Sequence, residues 1–412
     1  MRISELLAIV VCVVCTSLLA CETNGEPEAG VERRDSAGIE IVMSGSPAPE
    51  EGGGVEVGTR GTMRIGQTTG EEPYLFVGPL HALRLRSGTT VVLDEGLDEL
   101  RWFDASGRHV RTVGGSGEGP GEFVHPETLI RLPGDSVMVF DEAHPRITLY
   151  DSAGNLARAW SLESPPAGVA GDIQYFRPAP FGRLADGRTL HLASWSEEGT
   201  GHVRRTAVVL AFDETGRWLG PLLEFPGGDW WVERIEGGMR SSRGLGDRTA
   251  LAATDGSKIY VGNGDEYRIR VHGPEGRLRR IVGRIVEPTP ADERQVDSVL
   301  ARMRAEAPAL TPEEERLLER RLRERAERME EHLAHYEIMP AFYGLEADEA
   351  GRLWVRKGRF AYDYDLFSPE GRWLGSLLLS GEPLFLGRDE IIVAGADSMG
   401  VRFVEVFPLT SR

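Results

Sequence analysis

Short apolar runs, each folded back on itself at a turn of Asp, Ser or Gly, recur along the chain. Leu83-Arg-Leu-Arg-Ser-Gly-Thr-Thr-Val-Val-Leu-Asp94 is the first, and Leu129-Ile-Arg-Leu-Pro-Gly-Asp-Ser-Val-Met-Val-Phe-Asp141 repeats it. Four more copies turn at Asp186-Gly187, Asp255-Gly256, Glu349-Ala-Gly351 and Gly387-Arg-Asp389. Two apolar arms joined by a tight polar turn predict a β-hairpin. A second pattern follows each of the first five copies: Phe103-Asp-Ala-Ser-Gly-Arg108, Tyr150-Asp-Ser-Ala-Gly-Asn155, Phe212-Asp-Glu-Thr-Gly-Arg217, His272-Gly-Pro-Glu-Gly-Arg277 and Phe367-Ser-Pro-Glu-Gly-Arg372. Two hairpins per unit make four antiparallel strands. Units of that kind repeated around an axis are the blades of a β-propeller.

The sixth unit ends one strand short, at Phe403-Val-Glu-Val-Phe407. Thr62-Met-Arg-Ile-Gly66 near the N-terminus parallels the fourth-strand sequence Arg111-Thr-Val-Gly114 and is expected to supply the missing strand. Closure of this kind removes the open edges that invite aggregation. Asp35-Ser-Ala-Gly-Ile-Glu-Ile-Val42 also reads as a strand, expected beside the closing blade. One segment, 289–337, follows a helical period instead. Val296, Val299, Leu300 and Met303 form one stripe; Leu318, Leu322, Met329, Leu333 and Tyr336 form another, after a Thr311-Pro-Glu-Glu314 capping box. The predicted fold is all-β: a six-bladed β-propeller of four-stranded antiparallel blades over 62–409, closed by an N-terminal strand. An α-helical hairpin is inserted between blades four and five.

Gly114-Gly-Ser-Gly-Glu-Gly-Pro-Gly-Glu-Phe123, followed by Pro126, resembles the blade-connecting motif of NHL-type propellers. The stretch 35–409 as a whole resembles the bacterial six-bladed β-propeller lipoproteins of that group. The resemblance implies the fold. It leaves activity open, because one scaffold hosts many functions and related propellers include metal-dependent lactonases and lyases.

Cysteine placement changes the picture most. All three cysteines, Cys12, Cys15 and Cys21, fall in the first 21 residues, so the rest of the chain has neither disulfide nor thiolate metal site. Leu6 to Ala20 is an apolar run of about 15 residues, short of the ~20 that span a bilayer and of the length of a signal-peptide core. Leu18-Leu-Ala-Cys21 resembles the bacterial lipobox, which implies cleavage before Cys21 and lipidation of that cysteine. The expected organisation is a signal peptide at 1–20, then a lipidated tether with one accessory strand at 21–61. Glu22, which is not Asp, implies by resemblance to known lipoprotein sorting an outer-membrane lipoprotein of the cell envelope, facing periplasm or exterior. A net charge of −18 excludes nucleic acid as a partner, since phosphate binding needs a basic footprint. Lysine occurs only at 258 and 357; the other basic residues are arginine.

No cofactor signature stands out. The glycine-rich 114–121 stretch lacks the helix and lysine of a phosphate loop. Asp213-Glu-Thr-Gly216 suggests a Ca²⁺ loop, but no terminal Glu or alternating Asp/Asn run supports it. His332 and His335 lie three apart on a charged helix and read as solvated. Connectors and second-to-third loops share one face of a propeller, and here that face carries the longest segments: Ser194–Arg204, Phe225–Arg248 and the helices. Binding is expected there. Asp94, Asp141 and Asn263 end their second strands, Arg146 and Arg268 begin the following strands, and Trp230-Trp231 sits in the longest segment. These seven are the candidate ligand-binding residues: arginine for a carboxylate or sulfate, tryptophan for stacking. Each acid pairing with its own blade is the competing account. The expected function is a monomeric envelope binding or scaffold module for a protein, peptide, glycan or small acid, held at the membrane by its lipid. The alternative is a channel-centred, metal-dependent lactonase- or lyase-like enzyme.

Overall fold

A computed structural model of the protein describes residues 30–47, 54–78, 80–165, 175–195, 199–236, 238–305, 311–397 and 400–411. The expected signal peptide, 1–20, and Cys21 lie outside the described residues. In chain order the first strands are β1 (Val31–Ser36), β2 (Ile39–Ser44), β3 (Val55–Val57) and β4 (Met63–Ile65). Next come β5 (Leu80–Arg84), β6 (Thr90–Asp94), β7 (Glu99–Phe103), β8 (His109–Gly114), β9 (Pro126–Arg131), β10 (Val137–Asp141), β11 (Arg146–Tyr150) and β12 (Leu156–Ser161). A third group comprises β13 (Tyr175–Arg183), β14 (Thr189–Trp195), β15 (Gly201–Phe212), β16 (Trp218–Ile235) and β17 (Gly238–Ser242). Then follow β18 (Leu251–Thr254), β19 (Ile259–Gly262), β20 (Arg268–His272) and β21 (Leu278–Arg284). Two helices, α1 (Glu293–Ala305) and α2 (Pro312–Leu333), precede β22 (Gly344–Ala347), β23 (Leu353–Arg356), β24 (Asp363–Phe367) and β25 (Trp373–Leu378). The chain ends with β26 (Pro383–Leu386), β27 (Glu390–Ala396) and β28 (Arg402–Ser411).

These strands form six sheets among the described residues. β5–β8, β9–β12 and β22–β25 are four-stranded meanders, and β13–β16 and β18–β21 are meanders with added strands. In the last sheet β26, β27 and β28 are followed by β4, which pairs antiparallel with β28 through Val404↔Ile65 and Val406↔Met63. β3 pairs with the end of the same strand. The first strands lie side by side: β5 on β9, β9 on β13, β13 on β18, β18 on β22, and β26 on β5. The architecture is that of a β-propeller.

Alternation explains why the second strands are so apolar. Val91 and Leu93 pack toward the β9–β12 sheet with Val137 and Val139. Val92, between them, packs the other way, with Ile392, Val404 and Val406. Both faces of the sheet are covered, so all five residues of β6 are buried. The third-to-fourth turns owe their repeat to a local device. Asp104 accepts the main-chain amides of Ser106 and Arg108, and Asp213 those of Thr215 and Arg217. The glycine that follows sits at φ of +80° to +87° in all five turns, a region that only glycine enters without strain.

Two expectations need correction. The Asp35–Val42 segment is not beside the closing sheet. It lies in a β1–β2 hairpin whose second strand pairs parallel with β21, from Glu40↔Arg280 to Ser44↔Arg284, burying Val42 and Ser44. Phe225–Arg248 is not a loop. β16 continues through Trp230 and Trp231 to Ile235 and turns into β17, while β15 begins at Gly201. Pro226-Gly-Gly228, a breaker on sequence grounds, is absorbed by a bulge opposite Arg204/Thr206. A Cβ on Gly227 would meet the Arg205 carbonyl at 2.4 Å, so the glycine permits the close approach.

The helices pack their stripes against each other. Val296, Val299 and Leu300 of α1 meet Leu322 and Leu333 of α2, with Leu245 and Met339 of the flanking chain. Thr311 and Glu314 cap α2 reciprocally. No helix among the described residues is long and apolar enough to cross a membrane.

Candidate functional site

Most of the sequence-derived candidates turn inward. Asp94, fully buried at the end of β6, accepts the amides of Val77 (2.9 Å), Gly78 (2.8 Å) and Gly96 (3.1 Å). Asp141 does the same for Val124 (2.9 Å) and His125 (3.1 Å). Apart from that of Gly96, in the turn after β6, these amides belong to the connector entering each sheet, and the carboxylate completes their hydrogen bonding. The arginines hold the carbonyls of the same connectors. Arg146 donates to Glu118 O (3.0 Å), Gly119 O (3.5 Å) and Glu122 O (2.5 Å). Arg101, with its side chain fully buried, donates to Glu72 O, Pro73 O and Leu75 O. The glycine-rich motif is thus a strap: its Phe123 is buried between two sheets and Arg146 ties it down.

The fourth sheet departs from this pattern. Asn263 donates to Gly227 O (3.3 Å) and Asp265 (2.9 Å). Among the described residues Arg268 bonds no connector carbonyl; it pairs with Glu266 at 2.9 Å and its side chain is half exposed. Trp230 is already covered by two guanidinium groups, Arg205 at 4.3 Å and Arg243 at 4.2 Å. Trp231 stacks against His332 (5.5 Å) and His335 (4.8 Å), so those histidines are not merely solvated, as their spacing suggested.

A polar network fastens the end of α2 to the third and fourth sheets. Arg204 bridges buried Asp229 (2.8 Å) and Asp265 (2.7 Å). Burial opposes ionisation of Asp265, yet bonds from Arg204 and Asn263 hold its carboxyl below the usual range. Tyr336 donates to Asp247 at 2.7 Å, and His202 Nε2 lies 2.7 Å from the same hydroxyl. Burial and the Asp247 carboxylate push that phenol well up, so it stays protonated.

Among the described residues several cavities open, and three of them lie beside the helices or on the propeller axis. Two adjoin on the connector face, sharing Thr289, Met339, Pro340 and Lys357. One, of about 480 Å³, is lined by Arg268, Tyr267, Arg284, Ile285 and Val286. The other, of about 310 Å³, lies between α1 and the loop after β23. The third, of about 390 Å³, is on the propeller axis near the short turns, lined by the ends of five first strands with Arg131, Arg183 and Glu346. Burial raises the Glu346 carboxyl to about 7, against a hydrogen bond from the Tyr364 hydroxyl at 3.1 Å. None of these axial groups was among the candidates. The signal was the charged residue at the inner end of a first strand, as in Leu129-Ile-Arg131, hidden because strand ends usually face water. Among the described residues no group of three or more His, Cys, Asp or Glu side chains is placed to hold a metal ion.

No family model matches the chain, and no curated protein sequence matches it. Solved structures resemble it at low identity. A Bacteroides fragilis protein described as exported is 10% identical with a TM-score of 0.46, covering 87% of this chain and 95% of its own. A DUF4221 member from Bacteroides vulgatus is 10% identical with a TM-score of 0.47, covering 87% and 99%. Virginiamycin B lyase from Staphylococcus aureus is 10% identical with a TM-score of 0.39, covering 86% and 99%. These likenesses decide nothing about activity, and the fold rests on the sheets described above.

Proposed function

We propose that the protein is a binding module of the cell envelope: a six-bladed propeller, lipidated at Cys21 and held at the outer membrane. It takes its ligand on the connector face beneath the helical pair. The observation that carries this reading is the pair of adjoining cavities there, lined by α1, the α2-to-β22 chain, the loop after β23 and Arg268. The strand turns opposite are short, whereas this face carries the added helices, and a rigid scaffold presents binding groups on its longest excursions. Asp94, Asp141 and Arg146 then serve the scaffold, and Arg268 is the candidate left to meet a ligand.

Replacing 289–337 by a short linker tests this. The sheets do not depend on α1 or α2 for any strand pairing. The shortened protein should keep its β circular dichroism and lose the thermal shift that peptide, glycan or small-acid pools give the intact protein. A shortened protein that unfolds, or that keeps every shift, contradicts the reading. A second reading, a channel-centred enzyme, is favoured by one observation: Glu346, a carboxyl with its pKa near neutrality, faces the axial cavity.

A further inference from the structure

The β1–β2 hairpin adds nothing to ring closure, which β4 performs, yet it is fastened to the fourth sheet. Val31 lies opposite Ser44, and Ser44 lies beside Arg284 at the end of β21. The Gly45 amide donates to Gly30 O at 2.8 Å, and the Ile285 amide to Ser44 O at 2.9 Å. The chain arriving from the N-terminus and the chain leaving for α1 therefore meet at one corner of the connector face. That corner is apolar where it is open to solvent. Ile285 is 51% and Val286 39% exposed, the only adjacent pair among the exposed large hydrophobic side chains of the described residues. Exposed apolar residues scattered singly need no explanation; a neighbouring pair at a chain junction does. Both also line the larger connector-face cavity, with Met43 and Ile338.

Reach decides what can cover this corner. Val31 is ten residues after Cys21, and ten residues extend over at most about 35 Å. A compact chain of this length is about 55 Å across. A lipid on Cys21 therefore keeps the bilayer on the Val31 side of the protein. A net charge of −18, with Glu287 next to the pair, argues against a contact made by charge. Apolar insertion is what the corner offers.

We propose that Ile285 and Val286 are the membrane-contact point of the anchored protein, entering the headgroup region of the bilayer that holds the lipid on Cys21. The inference rests on the lipidation reading above and adds the orientation of the protein on its membrane. Two side chains are too little apolar surface to bind a bilayer unaided; the lipid supplies the affinity and the corner sets the angle. The role of the hairpin follows. It ties the anchor to the fourth sheet beside the larger cavity, which then opens next to the headgroups.

The test uses the full mature lipoprotein in vesicles of phosphatidylethanolamine and phosphatidylglycerol that carry a spin label near the headgroup. Cys21 is the only cysteine left after cleavage at the lipobox, and its sulfur is taken up by the lipid, so a cysteine introduced elsewhere accepts a fluorescent probe alone. Ile285→Cys and Val286→Cys are labelled separately, with Val110→Cys and Leu156→Cys as controls. Both control positions are exposed and follow third-to-fourth turns on the opposite face. Probes at 285 and 286 should shift their emission to the blue and lose about half of it or more to the spin label, as side chains about 5–10 Å into the headgroup boundary do. High salt should not reverse this, and probes at 110 and 156 should not change. If probes at 285 and 286 are quenched no more than the controls, in protein whose lipid is confirmed by mass spectrometry, the proposal falls and the anchor stands. A mature chain without lipid on Cys21 overturns the lipidation reading itself, and this contact with it.

Discussion

A chain shortened to begin at Gln67 should aggregate or melt far below the full-length protein. The shortening removes β4, which completes the sheet of β26 to β28. Ile65 is 1% exposed and packs with Phe103, Val404 and Val406, and the Thr62 amide donates to Val406 O at 2.8 Å. Losing a buried isoleucine costs about 2–5 kcal/mol. The unmatched amides and carbonyls of β28 add to that and leave an open sheet edge. Against a total stability of about 5–15 kcal/mol, the loss is large. A chain beginning at Gly54 is the control. It keeps β3 and β4 and lacks only the β1–β2 hairpin, so it should lose less and stay soluble. If the Gln67 chain melts like the full-length protein, the ring closes in some other way.

Asp365→Ala should be the most damaging single substitution. The carboxylate, fully buried on β24, accepts from Tyr267 (2.5 Å), Arg284 (2.7 Å), Trp373 Nε1 (3.2 Å) and Ser376 (2.6 Å). Tyr267, just before β20, and Arg284, at the end of β21, belong to the fourth sheet and the others to the fifth, so one side chain joins two sheets. Arg284 also lies over the Trp373 ring at 3.5 Å, where it cannot reach water easily. Removing one partner of a buried ion pair leaves the other uncompensated, a cost of about 3–5 kcal/mol. Asp365→Asn keeps one acceptor oxygen, loses the charge and turns an amide NH2 toward the other donors, and should fall between. Thermal unfolding of the two variants measures this; melting temperatures equal to the parent's would show that Arg284 finds another counter-charge.

What could be read from the chain, and what could not, divides along the range of the interactions. The hairpins were legible because their causes are local. Asp104 bonds amides two and four residues on, and Gly107 needs its positive φ within the same turn. The stripes on α1 and α2 were legible for the same reason. The β1–β2 hairpin was misplaced because its partner, β21, lies about 240 residues away and pairs parallel, with no turn to announce it. Pro226-Gly-Gly228 misled because a bulge uses the residues that a loop would. Asp94 and Arg146 were recognised as recurring positions, but position alone does not say whether a side chain faces a ligand or its own connector. The cavity between α1 and the loop after β23 was hidden because its walls, α1, Leu245 and 357–361, are far apart in the chain.

Hydrogen exchange of the intact protein, with and without any pool member that raises its melting temperature, tests the central claim most directly. The account predicts slowed exchange in 284–289, 293–305, 338–343 and 356–361, around the connector-face cavities, and unchanged exchange in 129–131, 181–183 and 252–256 on the axis. Protection confined to those axial segments and to 345–349, around Glu346, would contradict it and place the ligand in the channel.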